Sequence, residues 1–332
     1  MLKRQEKWLL AAAIVAFPLQ AFAQPMWGPP MGDSSLRILS DPAYLPFAGQ
    51  IVGYSVYRYH QQSGDVFDTT TGAPDYSFHT ITNELVQTFQ YGLTDDLAFD
   101  ASIGYDPTQK RNEVFPDGSV DVLQSNGFTD PTFGVTWRAL DEAHAPLNLD
   151  FSASYQPDVF NSKSSSPTED GTIARGGQSA HFGGAVSEVM PQFTVQGFAD
   201  ANYFGGSSTD NLINDTVIKH DSYWNYDLGL ATQTRIIDQF SINAGVSHTF
   251  NPNFNVLNIT NGNASISAPG DVTTLNAGLN YHIIPNTFVV GVTYAYNMHD
   301  ASQNTYLAEA TADTTTRNNH ENVYGVRLDY QL

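Results

Sequence analysis

Residues Ile81 to Tyr105, ITNELVQTFQYGLTDDLAFDASIGY, decide how the whole chain is read. From Leu97 onward apolar side chains fall on every second position, Leu97, Phe99, Ala101, Ile103 and Tyr105, while Asp100, Ser102, Gly104 and Asp106 fill the gaps. That is the period of an extended strand with one apolar and one polar face; a helix would scatter the same residues around its circumference. A second extended run, less cleanly alternating, precedes it. Between the two, Gly92-Leu93-Thr94-Asp95-Asp96 supplies the residue types that tight reversals favour. The stretch reads as a β-hairpin whose apolar face mixes large aromatics with small aliphatics.

The unit recurs on both sides. Upstream, Gly49 to His60 is a first strand whose phase is open, because Val52, Tyr54 and Val56 alternate with Gly53, Ser55 and Tyr57. A polar loop from Gln61 to Asp75 follows. Downstream of the hairpin, a loop from Pro107 to Gly127 leads to Pro131–Ala139, a break at Asp141 to Pro146, and Leu147–Tyr155. The rhythm of long loop, strand, short turn, strand then continues. Loops are expected over Asn161–Gly177, Gly205–Asp221, Asn251–Asp271 and Met298–Asn319, and short turns at Met190-Pro191-Gln192, Ile237-Asp238-Gln239 and Ile284-Pro285-Asn286. The tally of about twelve strands, with connections alternating in length, predicts an all-β fold: a transmembrane antiparallel barrel in an up-and-down meander with both termini on the short-turn, periplasmic side.

Alternation alone also fits a soluble sandwich. Three features favour lipid. The apolar face is almost free of charge in strand after strand, without the charged interruptions that protect soluble edge strands. Aromatics such as Tyr91, Tyr105, Trp137, Tyr155, Trp224 and Tyr281 sit near strand ends, where an interfacial girdle belongs. The chain also ends on its last strand, with Tyr330 and Leu332 on the apolar face, as expected of a terminal strand read by barrel-assembly machinery.

Two stretches carry a resemblance. Phe89-Gln90-Tyr91-Gly92-Leu93-Thr94-Asp95-Asp96-Leu97 resembles the "EYGLTDRLEL" turn of the outer-membrane transporters named for the meta-pathway of phenol degradation, and Gly127 to Arg138, GFTDPTFGVTWR, resembles their "GxGDxxLGLKYR" strand. Together they cover 21 of the 332 residues. Gln90 and Asp96 stand where Glu and Arg are usual, and Thr129 where Gly is. The resemblance implies passage of small molecules, aromatic ones among them, and supplies no catalytic residue.

The ends and totals bound the rest. Lys3, Arg4 and Lys7 precede an apolar run from Trp8 to Phe17, then Pro18 and the small-x-small site Ala21-Phe22-Ala23. This is the pattern of a secretory signal peptide over residues 1–23. No later stretch approaches the roughly 20 apolar residues of a spanning helix, so any crossing uses strands. Removing those residues leaves 11 basic against 33 acidic side chains, which excludes a nucleic-acid binder. With no cysteine, neither disulfides nor thiolate metal sites contribute. Residues 24–48, rich in Pro and Gly and without period, are expected to form a periplasmic lead-in or a small lumen plug, and residues 49–332 the barrel.

If apolar residues face lipid, the alternate positions line the lumen: Glu84, Asp100, Asp150, Asp200, Asp227 and Asp329, with Arg138 and Arg327 as counter-charges. Such a lining would either favour cations or close into polar networks. Neutralising Asp100 and Asp150 together is the corresponding test of cation preference. No cofactor is expected. Histidines near strand ends, His181 and His248 among them, have Ser and Asp nearby but no hydrolase or metal spacing. Asp117-Gly118-Ser119-Val120-Asp121 and Glu169-Asp170-Gly171 lack the full ligand ladder of a calcium loop. The sequence thus points to a bacterial outer-membrane channel or uptake conduit for a small-molecule solute, aromatic or cationic solutes included. Two alternatives remain: a receptor or adhesin barrel with a non-conducting lumen, and an outer-membrane hydrolase.

Overall fold

The computed structural model describes residues 39–142, 144–190, 192–212, 216–260, 262–284, 287–307 and 313–332. The expected signal peptide, residues 24–38 of the expected lead-in, and the turn residues Pro191, Pro285 and Asn286 lie outside the described residues.

Twelve long strands close into one antiparallel barrel among the described residues. They are β1 (Ile51–Asp68), β2 (Pro74–Thr94), β3 (Leu97–Val114), β4 (Thr132–Leu140), β5 (Asn148–Gln156), β6 (Ser179–Val189), β7 (Phe193–Phe204), β8 (Tyr223–Ile237), β9 (Phe240–Phe250), β10 (Val272–Ile284), β11 (Phe288–His299) and β12 (Thr314–Gln331). Each pairs with the next in chain order, and β12 returns to β1 with Tyr330 opposite Gly53 and Tyr324 opposite Tyr59. Closure leaves no sheet edge, which a bilayer requires because it offers no water to an unpaired backbone group. In the opening hairpin, β2 continues through Gly92, Leu93 and Thr94, and only Asp95 and Asp96 turn.

Side-chain exposure runs opposite to that of a soluble sandwich. The apolar positions point outward, with Phe89 45 %, Trp137 52 % and Leu230 59 % exposed, whereas the polar positions beside them, such as Glu84 and Gln233, are buried. Apolar out and polar in is the arrangement that a hydrocarbon solvent selects. Outward rings gather at both ends of the band, as in the pairs Trp137–Phe151 at 6.0 Å and Phe240–Tyr281 at 4.9 Å near the short turns, and Tyr105–Phe128 at 4.8 Å near the long connections.

Much of what reads as loop in the sequence is sheet. β1 runs to Asp68 and β2 resumes at Pro74, so most of Gln61–Asp75 is paired. Likewise Val120–Phe128 pairs with the outer half of β3. Ser207–Asn211, Thr216–His220, Phe254–Asn258, Ala264–Ala268 and Ser302–Tyr306 form a ladder of neighbours that ends on β12. These stretches are short and mostly polar, apart from a buried cluster of Ile218, Phe254 and Val256, so no long apolar alternation announces them; backbone pairing extends the wall. The 21 residues of β2 reach about 70 Å, far more than the roughly 9 to 11 residues that cross a bilayer, so the wall projects well beyond the membrane on the long-connection side.

Residues 39–46 are all buried inside the barrel at its short-turn end. Leu39 and Tyr44 pack on Val52, Tyr54 and Val289, and Leu45 on Ala98. This fixes the open phase of β1: Val52 and Tyr54 face inward because an inner segment covers them, while Ile51 and Tyr57 face out. Gly92 permits the approach, since a Cβ there would lie 2.0 Å from the Phe47 carbonyl oxygen. Its amide donates to the Gln50 carbonyl at 3.0 Å.

Candidate functional site

The alternation that sends apolar side chains to lipid turns the eight singled-out residues inward. Glu84, Arg138, Asp150, Arg327 and Asp329 are buried, and Asp100, Asp200 and Asp227 are half-buried. They do not meet at one point. Near the short turns, Arg138 on β4 lies opposite Asp150 on β5 and grips it with two bonds, Nε to Oδ1 at 2.6 Å and Nη2 to Oδ2 at 2.8 Å. Arg327 donates to Asp329 two residues along β12, and its guanidinium lies 5.0 Å from the Tyr54 ring centroid. Asp100 stands over Gly134, where a Cβ would come within 2.6 Å of its Oδ1.

Glu84 belongs to a network the sequence does not reveal. Arg58 Nη1 donates to its Oε2 at 2.9 Å, and His60 Nε2 lies 3.4 Å from the same oxygen. His60 Nδ1 bonds Glu321 at 2.8 Å, and Asn297 donates to Glu321 at 2.6 Å. Arg58 sits opposite Glu84 in the β1–β2 register. Parity could have nominated Arg58, but its pairing follows only from the register.

Asp200 and Asp227 face each other across β7 and β8. Asn202 donates to Asp227 at 2.7 Å, and Thr249 donates to its other oxygen. Among the described residues no Lys or Arg lies within ion-pair distance of Asp100, Asp200 or Asp227, in contrast to Glu84, Asp150 and Asp329. The imidazole of His181 lies beside the second of these, with its Nε2 3.6 Å from Asp200 Oδ1. Ser152 Oγ is 3.3 Å from the same nitrogen, while Nδ1 bonds Asn202 at 2.8 Å. A hydrolytic triad needs nucleophile and acid on opposite ring nitrogens. Here both lie on one, and flipping the ring would keep them together.

The inner segment is tied to the wall on three strands. Arg138 Nη2 donates to the Ala43 carbonyl at 3.1 Å, Gln196 Nε2 to the Pro42 carbonyl at 3.2 Å, and Gln233 Nε2 to Ser40 Oγ at 3.4 Å. Thr194 Oγ1 donates to Asp41 Oδ2 at 2.6 Å, and the Ala43 amide to Asp41 Oδ1 at 3.2 Å. Asp41 belongs to no spanning strand, and burial pushes its carboxyl up to about 6 despite these two bonds.

Among the described residues no group of three His, Asp or Glu side chains gathers to hold a metal ion, and no helix is long and apolar enough to cross a membrane. Of the acidic loop pieces, Asp117 accepts from the Ser119 amide and hydroxyl at 2.9 and 2.6 Å in a tight turn, and Asp170 accepts from Asn126 at 3.3 Å.

No protein-family model and no curated protein sequence matches the chain. The resemblance at Phe89–Leu97 and Gly127–Arg138 therefore gains no family match. Solved structures do match in fold. The COG4313 outer membrane channel from Pseudomonas putida F1 superposes with a TM-score of 0.57 at 12 % identity, over 87 % of this chain and 97 % of that one. The transport unit of the autotransporter AIDA-I from Escherichia coli superposes with a TM-score of 0.50 at 14 % identity, over 85 % and 90 %. With the outward apolar band and the closed ring of strands, the likeness identifies a β-barrel of the bacterial outer membrane.

Proposed function

We propose that this barrel is a passive outer-membrane conduit for small molecules, with a polar, net acidic lumen that favours cationic over anionic solutes. The observation that carries the reading is the inner wall of polar and charged side chains, in which Asp100, Asp200 and Asp227 lack a Lys or Arg partner among the described residues. Uncompensated carboxylates on a low-dielectric wall raise the local concentration of cations. Twelve strands make a ring wider than the eight-stranded kind that side chains alone can fill. The fold shared with a protein described as an outer membrane channel supports the same reading. The buried segment 39–46 would narrow the path at the periplasmic mouth, so the conduit is a restricted one.

The test is purified protein in planar bilayers. Discrete openings, with a reversal potential displaced toward the cation's equilibrium value under a salt gradient, are the expected result. Silence at all voltages would favour a receptor or adhesin scaffold. An anion preference would remove the acidic lumen from the account.

A further inference from the structure

The inner segment is held mainly by neutral contacts, with one carboxyl side chain at their centre. Asp41 is buried, and it and the residues beside it meet four elements. From β7 come Thr194, which donates to it, and Gln196, which bonds the next carbonyl. From β8 come Gln233, bonded to Ser40, and the charge of Arg235. From the β4–β5 turn comes Glu142, itself holding the Val189 amide at 2.9 Å and Asn148 at 3.1 Å. From β4 comes Arg138, whose charge is already taken up by Asp150 while its Nη2 holds the Ala43 carbonyl. Among the described residues Arg235 is the cation of this shell whose charge acts on Asp41, and Glu142 opposes it. Among the described residues an ionised Asp41 is thus a buried charge matched by two hydrogen bonds and no direct ion pair.

We propose that Asp41 makes the seating of residues 39–46 a proton-controlled latch, tight when its carboxyl is protonated and loosened when it ionises. The inference rests on the reading that this segment narrows the conducting path. Burial raises the carboxyl, more than its hydrogen bonds and Arg235 lower it, to about 6 in the seated segment, against an ordinary value of 3.8. The seated form therefore binds the proton more tightly than the released form. Seating is firmest below about pH 4, weakens as pH rises to about 6, and is level above that. Linkage over that interval changes the seating equilibrium by roughly a hundredfold. Acid at the periplasmic mouth closes the latch, and neutral conditions release it.

The chain has no cysteine, so a single introduced thiol reports its own site. Ser40→Cys in the segment and Thr70→Cys in the exposed β1–β2 turn would be treated in detergent with a charged, water-soluble maleimide at about pH 4.5 and about pH 7.5. The ratio of the two labelling rates cancels the pH dependence of the thiol itself. That ratio is expected to rise several-fold between the two pH values, and to stay low at both when Asp41→Asn is added, since the amide keeps the acceptor without the charge. A ratio that does not change with pH, or a pH response that survives Asp41→Asn, overturns the latch. Single-channel currents on the same variants separate this from the conduit reading. Conductance rising with the labelling ratio supports both, whereas labelling that responds to pH in a protein silent at every voltage sustains the latch and defeats the conduit.

Discussion

Arg138 shows what one inward residue does. Its guanidinium closes a two-bond fork on Asp150 and also holds the Ala43 carbonyl, so it joins two strands and anchors the inner segment. Removing it as Arg138→Met leaves a buried carboxylate alone. That is expected to cost about 3 to 5 kcal/mol, whereas Arg138→Met with Asp150→Leu should recover most of the loss, because two apolar groups leave no orphaned charge. Urea unfolding in lipid vesicles checks this, and equal costs for the single and double variants would show that the fork is not what holds Asp150. The inward placement of both residues was legible in the sequence from parity alone. That they bond each other was not, because it depends on the register of β4 against β5. Glu84 makes the same point, since Arg58 and His60 come to it through the β1–β2 register and Glu321 through the β1–β12 closure. Asp41 left no signal, because a segment without period gives no parity from which to infer what it faces.

At the scale of the strand, alternation showed the spanning portions because hydrocarbon on one side and a polar lumen on the other impose opposite demands on neighbouring residues. Beyond the bilayer the outer side is wet and only isolated residues such as Val66 pack inward, so QQSGDVFD at the end of β1 and TTTRNNHE at the start of β12 read as loop although they are paired in register. The phase of β1 was illegible for a different reason: Val52 and Tyr54 are apolar on the lumen side because they meet Leu39 and Tyr44. The lipid assignment has a depth-dependent consequence. Leu230, 59 % exposed and inside the spanning part of β8, should tolerate Arg poorly, at about 2 to 4 kcal/mol, whereas Ile236→Arg beside the periplasmic turn should cost about 0 to 1 kcal/mol. Equilibrium unfolding in vesicles would reveal the gradient. Equal costs at the two positions would mean that this face does not look into hydrocarbon.

For the whole molecule the controlling quantity is charge: 34 acidic against 14 basic residues, a formal net of −20. On the proposed conduit reading, cation preference would have two sources, and they differ in reach. The summed field of the wall and its projection on the long-connection side would act at a distance, and it is screened within about 10 Å at 0.1 M salt and about 3 Å at 1 M. Asp200 and Asp227, opposed on adjacent strands with the His181 imidazole beside them, would act at contact and be screened far less. The cation-to-anion permeability ratio, read from reversal potentials, should therefore fall between about 0.1 M and about 1 M KCl without reaching unity. In the Asp200→Asn, Asp227→Asn variant the ratio should still exceed unity at low salt, where the wider field and Asp100 survive, and decline closer to unity at high salt than it does in the unaltered barrel. A ratio independent of salt in the unaltered barrel would locate selectivity entirely at contact. A double variant that behaves like the parent at 1 M would show that permeating ions do not pass these two carboxylates, and the path would then have to run along another part of the inner wall.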